Sequence, residues 1–253
     1  MSNMQHVRKV RKSSAVIEAL EIMRDFIASL VQNGEQWLPS EDELANRLGI
    51  SRLTVREALT VLEREGVVAR FQGRGTMINH FAQRLTSRID FAREIGKFIQ
   101  EAGYEFTVDE VSHEWRLSNS VEDAKLALDD EQELMVVEKR FLADGNPAAF
   151  CIDRIPKKLF KSLDFNSEDL FQSMFAFVEK YCRCSLTHDV IEIIPVAADE
   201  KLARLLKVNL GTPLIRIDAV EYAAEETPVM YNTEFHVDQF CRFTLCRSVA
   251  YMS

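Results

Sequence analysis

The stretch LPSEDELANRLGISRLTVREALTVLEREGVVARFQGRGTMIN, residues 38–79, decides the fold of the first part of the chain. Ser40 followed three residues later by Glu43 is a capping box, in which the serine oxygen and the glutamate carboxylate satisfy backbone donors at a helix start. A short helix is therefore predicted to begin near Ser40. Gly49 supplies the sharp turn after it, and Ile50 is expected to fill the space before the next helix.

A second helix is predicted from Ser51, which caps its start. Apolar side chains recur along it at three- and four-residue steps and are expected to face the first helix and the core; they are Val55, Ala58, Leu59 and Leu62. The opposite face carries Arg52, Thr54 and Arg56. Arginine can pair with guanine through two hydrogen bonds, and threonine can contact a thymine methyl group or a phosphate. This face therefore suits a DNA major groove.

A glycine-rich hairpin is predicted after the second helix. Gly66 ends the helix, residues 67–71 and 76–78 have the pattern of short strands, and residues 72–75 form the turn between them. The turn glycines allow close approach of the backbone to a groove or phosphate, and Arg70 and Arg74 supply charge. Exposed arginines are usually only solvated. Here, however, both caps, the glycine turn, the apolar spacing and the hairpin follow the order of a winged helix-turn-helix.

Residues 14–79 resemble the N-terminal domain of GntR-family bacterial transcription regulators, above all in LPSEDELA and SRLTVREAL. The resemblance implies that Arg52, Thr54 and Arg56 contact operator DNA and that the hairpin tip reaches the minor groove. Many members have a basic residue where this chain has Asp42, so no DNA contact is expected from that position. The candidate DNA-binding residues are Ser51, Arg52, Thr54, Arg56, Arg70, Gln72, Gly73 and Arg74.

The chain of 253 residues is long enough for two domains, and its net charge of -9 is divided unequally between them. Residues 1–79 hold 11 Lys+Arg and 10 Asp+Glu, net +1, whereas the remainder holds 20 and 30, net -10. We therefore predict a DNA-binding domain at 1–79, a linker at 80–92 and an acidic domain at 93–253. A basic arm of Arg8, Lys9, Arg11 and Lys12 either follows phosphates or a minor groove, or only aids solubility.

No secretory signal or membrane span is visible in the sequence, so a cytoplasmic protein is expected. Its five cysteines form no regular framework, which is typical of reduced thiols. Cys182 and Cys184 with His188 could suggest a metal site, but the paired spacing of zinc sites is missing. We therefore expect neither a metal nor a cofactor.

The second half of the chain alternates between strand and helix patterns and predicts an α+β domain around an antiparallel sheet. Strands are predicted at 107–115, 134–142, 148–155, 186–196, 213–222, 229–237 and 242–247, and helices at 91–102, from Ser120, at 169–181 and at 199–206. The segment ADGNP, residues 143–147, is expected to turn the second strand into the third. The last three strands are expected to form a closing meander.

Three segments of this half resemble the UTRA effector domain of HutC-type GntR regulators: ADGNP, ADEKLARLLKVNLGTPLIRID and TPVMYNTEFHVDQFCRF. The resemblance covers residues 90–247, approximately, and implies a fold similar to chorismate lyase, with a small molecule bound in a cleft on the sheet. It separates the chain from the branch with an all-helical, metal-binding effector domain.

Several relatives of this type hold a sugar phosphate with two basic residues on one strand, and the matching positions here are Lys139 and Phe141. Only one is basic, which disfavours a phosphate unless a register shift of one residue brings in Arg140. Cys151 and Asp153, two apart on a strand, are expected to share a face, and a pocket with Lys139 and Asp153 suits a zwitterion or an amine-bearing acid. Each side chain could instead be a surface charge or a cross-strand pair. The candidate effector-binding residues are Lys139, Phe141, Cys151, Asp153, Arg154, Tyr231 and Glu234.

These features predict a homodimeric repressor that binds a palindromic operator and changes its DNA affinity when a metabolite binds the second domain. One alternative is an enzyme with a lyase-like domain, but no nucleophile, base and orienting acid have recognisable spacing, and there is no phosphate-binding loop. Another is an architectural DNA binder without a ligand, which leaves the acidic domain without a role.

Overall fold

The computed structural model describes residues 12–247 except Thr86, Phe91 and Arg93, and it gives only the backbone of residues 12–15, Gln83, Arg84 and Glu225. Most of the predicted basic arm therefore lies outside the described residues. These residues form two compact units, one of 12–90 with 244–247 and one of 92–243. No helix in the described part of the chain is long and apolar enough to cross a membrane.

The packing corrects the predicted domain bounds at both ends. Residues 80–90, predicted as a linker, belong to the first unit, where Ala82 is buried in the core. Residues 244–247 return to the same unit because Thr244 accepts a hydrogen bond from the Ile89 N–H at 2.9 Å and donates its own N–H to the Ser87 carbonyl at 3.0 Å. The last described residues therefore complete the first unit and do not extend the second.

The first unit is a winged helix-turn-helix. Its elements are α1 (Lys12–Gln32), α2 (Glu41–Leu48), α3 (Arg52–Arg64), β1 (Val68–Phe71), β2 (Gly75–Ile78) and a 3₁₀ turn at His80–Arg84. The predicted capping box at Ser40 and Glu43 is confirmed, because each side chain accepts the other residue's backbone N–H. Gly49 ends α2 in the left-handed region with φ 66°, as the turn requires.

The core of this unit confirms the predicted apolar face of α3. Val55, Ala58, Leu59 and Leu62 are buried against Leu44 of α2 and against Met23 and Ile27 of α1. Burying a valine, leucine, isoleucine or methionine side chain contributes about 1.5–3 kcal/mol. Because the core fixes the rotation of α3 about its axis, it also fixes which side chains of that helix face outward.

The second unit is an α+β domain built on one antiparallel sheet. Its strands are β3 (Phe106–Leu117), β4 (Glu133–Ala143), β5 (Asn146–Pro156), β6 (Leu186–Ala197), β7 (Pro213–Ala223) and β8 (Pro228–His236), in the spatial order β3-β4-β5-β8-β7-β6. Its helices are α4 (Ile95–Glu101), α5 (Ser120–Leu126), α6 (Met174–Tyr181) and α7 (Glu200–Leu206), with 3₁₀ turns at Lys157–Leu159, Ser167–Phe171 and Ala224–Glu226.

Three predicted elements of this unit need correction. The cap of α5 is Asn119, not Ser120, since the Asn119 side chain accepts the N–H groups of Val121 and Glu122. The helix predicted at 169–181 is a 3₁₀ turn followed by α6, which Ser173 caps. Residues 242–247 do not form a strand of this sheet. Their backbone pairs instead with Arg88, through a single bridge at Thr244.

The turn between β4 and β5 and the alternation of side chains along the strands both follow from the sequence. Asp144 and Gly145 both have positive φ, 47° and 76°, so the turn between β4 and β5 is the tight two-residue kind that matches strand twist. Side chains then alternate between the faces of the sheet. Helices α5 and α7 cover one face, and α6 packs on the other, where α4 lines a cavity.

Candidate nucleic-acid interface and ligand cavity

The exposed start of α3 is the candidate DNA-contacting surface. Arg52 and Arg56 keep 55 % and 51 % of their side chains exposed, while Thr54 is half-buried. The Ser51 side chain accepts the N–H of Thr54 at 3.1 Å, which holds Ser51 at the helix start. Two guanidinium groups therefore project from the first two turns of the helix, the part that meets base edges in helix-turn-helix proteins.

A carboxylate of α2 holds both guanidinium groups. Glu41 Oε2 lies 2.8 Å from Arg56 Nη2 and 3.1 Å from Arg52 Nε. The hydrogen bond from Arg56 lowers the pKa of Glu41 most, outweighing the partial burial that opposes ionisation. Glu41 is thus an ionised bridge that fixes the side-chain directions of both arginines.

Asp42 lies beside this bridge. Its Oδ1 is 3.2 Å from Arg52 Nη1, and the Asp42 side chain is 66 % exposed. Asp42 therefore adds a negative charge next to a candidate DNA-contacting arginine. Such a charge opposes the approach of a phosphate backbone.

The hairpin tip presents a second set of exposed groups. Gln72, Gly73 and Arg74 are all exposed, and Gly73 has φ 73° with open space where a Cβ would lie. The Arg74 guanidinium lies 5.7 Å from the ring centroid of Trp37. Arg70 is placed differently, because its Nη2 is 2.6 Å from Glu63 Oε2 of α3. Arg74, not Arg70, is the charged side chain at the tip.

In the second unit, five of the seven candidate effector-binding residues line one small cavity on the α6 face of the sheet; they are Lys139, Phe141, Cys151, Asp153 and Glu234. The cavity holds about 40 Å³ and is also lined by three polar residues that the sequence did not single out, Glu94, Glu221 and Asn232. The expectation that Cys151 and Asp153 share a face is confirmed. Both side chains accept a hydrogen bond from Asn232 Nδ2, at 2.9 Å and 2.7 Å.

The other two candidates lie on the opposite face of the sheet. Arg154 places its guanidinium 4.7 Å from the Tyr231 ring centroid and its Nε 2.7 Å from Glu122 Oε1 of α5. Arg140 lies on this face too, with Nη2 2.6 Å from Asp109 Oδ2. The one-residue register shift that would bring Arg140 into the cavity is therefore not present in the structure.

Lys139 is the cation of the cavity and is 2 % exposed. Its Nζ donates to the carbonyl oxygen of Gln172 at 3.1 Å and lies 5.7 Å from the Phe141 ring centroid. Burial raises the pKa of Glu94, although a hydrogen bond from Ser173 and the charge of Lys139 favour the ionised form. One lysine thus faces several carboxyl groups.

Burial also controls the ionisation of the other groups. It raises the pKa of Glu221 well above its usual range, and the neighbouring Asp153 and Glu234 add to that shift. Burial, followed by the charge of Asp153, raises the pKa of the Cys151 thiol in the same way. His236 lies behind Glu234, with Nε2 2.7 Å from Oε2; burial lowers the pKa of His236, but Cys241 and Glu234 outweigh it and raise that pKa to about 9.

A larger cleft of about 460 Å³ adjoins the cavity, and the two share Glu94 and Phe141 as lining residues. Its walls come from α4, from β3 and from the segment before α6; they include Lys97, Phe106, Phe171 and Gln172. A ligand can therefore place one end among the buried carboxyl groups and the rest in this wider space.

The candidate metal ligands near α6 do not form a cluster. Among the residues that the structure describes, no group of three or more His, Cys, Asp and Glu side chains is placed to hold a metal ion. Burial raises the pKa of Cys182 to about 12, so its thiol stays protonated. The His188 ring instead lies within hydrogen-bond distance of the neighbouring Thr187 hydroxyl.

Three polar residues of the cavity were not predicted from the sequence, and they differ in how far a sequence pattern could have indicated them. Asn232 could have been found, because it lies two residues before Glu234 on one strand and must share its face. Glu221 lies on β7 opposite Met230 of β8, a register that no local sequence pattern states. Glu94 precedes α4 in a segment predicted to be helical, and only the tertiary packing brings it over the sheet.

A winged helix-turn-helix with two outward arginines, joined to a domain with a cleft of ligand size, defines a DNA-binding transcriptional regulator that responds to a small molecule. Family comparison agrees with both parts of this description. Residues 15–78 match the gntR family of bacterial regulatory proteins, and residues 101–239 match the UTRA domain. The chain belongs to the GntR family, in the HutC-type branch that carries a UTRA effector domain.

Two curated relatives and one solved structure illustrate the similarity. The transcriptional repressor NagR of Bacillus subtilis is 27% identical over 86% of this chain and 89% of its own length. A probable fructoselysine utilization operon repressor of Escherichia coli K12 is also 27% identical, over 86% of both chains. The crystal structure of the possible regulator YydK of Bacillus subtilis has a TM-score of 0.71 at 14% identity, covering 92% of this chain and 99% of that one, and shows the same fold.

Proposed function

We propose that this protein is a homodimeric repressor whose operator affinity changes when a small molecule occupies the cavity beside Lys139. The observation that carries the proposal is the pair Arg52 and Arg56, both exposed at the start of α3 and both oriented by Glu41. The candidate base contacts are these two arginines and Thr54. Ser51 and the hairpin tip at Gln72, Gly73 and Arg74 contribute backbone and groove contacts, and Arg70 supplies charge behind them.

A dimer follows from the size of one recognition helix. A single helix-turn-helix reads few base pairs, and useful specificity needs two half-sites about one helical turn apart. A symmetric dimer supplies two such helices and is matched by a palindromic operator. The relatives NagR and the fructoselysine operon protein are named as repressors, which supports repression as the mode of action.

The effector acts through its differential affinity for the DNA-competent and DNA-incompetent states. A coupling free energy of about 1–3 kcal/mol is typical and changes operator affinity about 5- to 150-fold. Residues Lys139, Phe141, Cys151, Asp153 and Glu234 are the candidate effector contacts, together with Glu94, Glu221 and Asn232. Arg154 and Tyr231 are proposed to support the sheet from its other face, not to touch the ligand.

We also propose that the protein catalyses no reaction and that it acts on chromosomal DNA in the cytoplasm. The nucleophilic candidate in the cavity is the Cys151 thiol, whose pKa is raised by burial, so the reactive thiolate is disfavoured. A chorismate-lyase-like enzyme remains the competing hypothesis. It predicts that a compound that binds the cavity is consumed, whereas a sensor releases it unchanged.

The test uses DNA selected by the full-length protein from a random library. Arg56→Ala is expected to weaken binding of the selected DNA by about 1–3 kcal/mol, measured by fluorescence anisotropy, with an unchanged circular dichroism spectrum. Arg64→Ala, which removes an exposed arginine from the other end of the same helix, is the matched control and is expected to bind almost normally. Equal affinity of wild type and Arg56→Ala would disprove the recognition surface, and sedimentation as a monomer would disprove the dimer.

A further inference from the structure

We infer that the effector carries a protonated primary amine and that Asp153, Glu221 and Asn232 bind this ammonium group at the inner end of the cavity. The inference rests on the proposed function, because it names the chemistry of the ligand that the same cavity would sense. The inferred ligand is a cation and therefore differs from an anion such as a sugar phosphate, which a basic cavity would hold.

Three unpartnered hydrogen-bond acceptors belong to residues that line this cavity. Asp153 Oδ2, Glu221 Oε2 and Asn232 Oδ1 are buried and receive no hydrogen bond from any part of the chain that the structure describes. The residues are 1%, 4% and 6% exposed. An unsatisfied buried polar group is costly, so such groups are rarely left without a partner. The ligand is therefore expected to bring donors, and an ammonium group brings three.

The charges of the lining residues favour a cation. The carboxyl groups of Glu94, Asp153, Glu221 and Glu234 face a single lysine, Lys139. Glu234 has a partner in His236, but Asp153 and Glu221 have no basic partner among the described ion pairs. A phosphate or a second carboxylate would add charge of the same sign to this group. A bound ammonium would instead allow Glu94 and Glu221 to ionise.

The raised pKa values of Glu94 and Glu221 agree with this assignment. Burial is the largest cause at both residues, and nearby carboxylates add to it. Without a cation, the acids keep protons that they would lose in water. A cationic ligand supplies the missing opposite charge, so ligand binding and proton release are expected to be coupled.

The inner cavity has room for a small charged group. Its volume of about 40 Å³ is more than the roughly 10–15 Å³ that one water molecule needs in such a space. A primary ammonium fits and brings three N–H donors, whereas a trimethylammonium has no N–H to donate to the unpartnered acceptors. The remainder of the ligand is expected to pass Glu94 and Phe141 into the adjoining cleft of about 460 Å³.

The test compares matched small probes on the full-length protein at neutral pH. We use 5-aminopentan-1-ol, its neutral analogue pentane-1,5-diol, its trimethylammonium analogue and glucose 6-phosphate in thermal-shift and calorimetric titrations. Only the primary amine is expected to raise Tm, and its binding is expected to release protons, which calorimetry detects as a dependence of the measured heat on the buffer. Equal stabilisation by the diol, the quaternary amine or the phosphate, or none by the primary amine, would overturn the inference.

Two variants locate the binding site. Glu221→Gln and Asp153→Asn keep the shape of each side chain but remove its charge, and each is expected to weaken amine binding at least tenfold. Glu114→Gln, at an exposed carboxylate of β3, is the matched control and is expected to leave binding unchanged. Unchanged amine affinity in both cavity variants would also overturn the assignment, and their circular dichroism spectra show whether they have folded.

Failure of this inference and failure of the proposed function give different results. If the selected DNA binds normally but the amine neither binds the cavity nor shifts DNA affinity, the ammonium site is wrong and the repressor proposal stands. If the amine binds through Glu221 but the protein selects no DNA sequence, the ammonium site stands and the repressor proposal fails.

Discussion

Glu41 of α2 and Arg56 of α3 form an ion pair across the helix-turn-helix, with Oε2 2.8 Å from Nη2. The same carboxylate oxygen lies 3.1 Å from Arg52 Nε, so one acid orients both candidate base-contacting arginines. An exposed pair of this kind contributes little to folding stability. Its importance is instead in the direction it gives to two long side chains before DNA arrives.

The first prediction concerns this ion pair. Glu41→Gln removes the charge that orients both arginines and also removes a negative group near the DNA. Binding to random DNA is therefore expected to strengthen, while binding to the selected site gains less or weakens, so that the ratio of the two affinities falls about tenfold. Anisotropy titrations with both DNAs measure that ratio. Glu21→Gln, an exposed change of equal charge on α1, is expected to preserve it, and an unchanged ratio in Glu41→Gln would refute the orienting role.

The second prediction concerns Asp42. Its exposed carboxylate, 3.2 Å from Arg52 Nη1, opposes the approach of phosphates. Asp42→Asn is expected to raise affinity for all DNA sequences by roughly 1 kcal/mol at low salt, because a unit charge at contact distance is worth about that much in water. The gain should shrink as salt is added. A gain confined to one sequence would instead mean that Asp42 takes part in base discrimination.

Elements specified by neighbouring residues could be predicted from the sequence. The capping box at Ser40, the left-handed turn at Gly49 and the Asp144–Gly145 hairpin depend on side chains within a few positions of each other, and all three are present. The strand predicted at 242–247 is wrong because its partner is not in the sheet. The backbone hydrogen bonds of Thr244 go to Ser87 and Ile89, which lie with it in the first unit, and no local sequence pattern records that pairing.

The cavity was predicted in part, for a similar reason. Alternation along a strand correctly placed Cys151 with Asp153, and the same rule puts Arg154 on the other face, where the structure has it. Tyr231 likewise alternates with Asn232 and Glu234 along β8. The acids Glu94 and Glu221 required knowledge of tertiary packing and of strand register, so the strongly acidic character of the cavity was not visible in the sequence.

The third prediction concerns Lys139, which shares the cavity with the proposed ammonium site. Lys139→Met removes a like charge near the bound amine and keeps an unbranched side chain of similar length. We expect the amine concentration that changes DNA affinity to fall about tenfold, with DNA binding in the absence of amine unaltered. Anisotropy with selected DNA and increasing 5-aminopentan-1-ol measures both quantities. Lys201→Met is the control, because Lys201 pairs with Glu138 on the opposite face. Loss of DNA binding without amine would contradict the separation of the two roles.

The fourth prediction concerns the pH dependence of stability that Glu221 causes. Burial and the neighbouring Asp153, Glu234 and Asp189 raise its pKa well above 4.5 in the folded protein. The folded state therefore keeps a proton that the unfolded chain releases, and stability is lost as pH rises from about 4.5 towards the folded pKa. Glu221→Gln removes this loss. Its Tm is expected to be close to that of wild type near pH 4.5 and several degrees higher at pH 8, since an unsatisfied buried polar group costs about 1–3 kcal/mol.

The comparison between variant and wild type matters because His236 also titrates in this range. Its pKa is raised from 6.5 to about 9, so the stability it contributes is complete below 6.5 and is lost as pH rises through about 9. Both proteins share that loss, and it cancels in the difference between their Tm values. Glu114→Gln, at an exposed carboxylate, is expected to follow wild type at every pH. If the Tm difference for Glu221→Gln stays constant from pH 4.5 to 8, Glu221 ionises normally in the folded protein and the cavity is less acidic than its geometry implies.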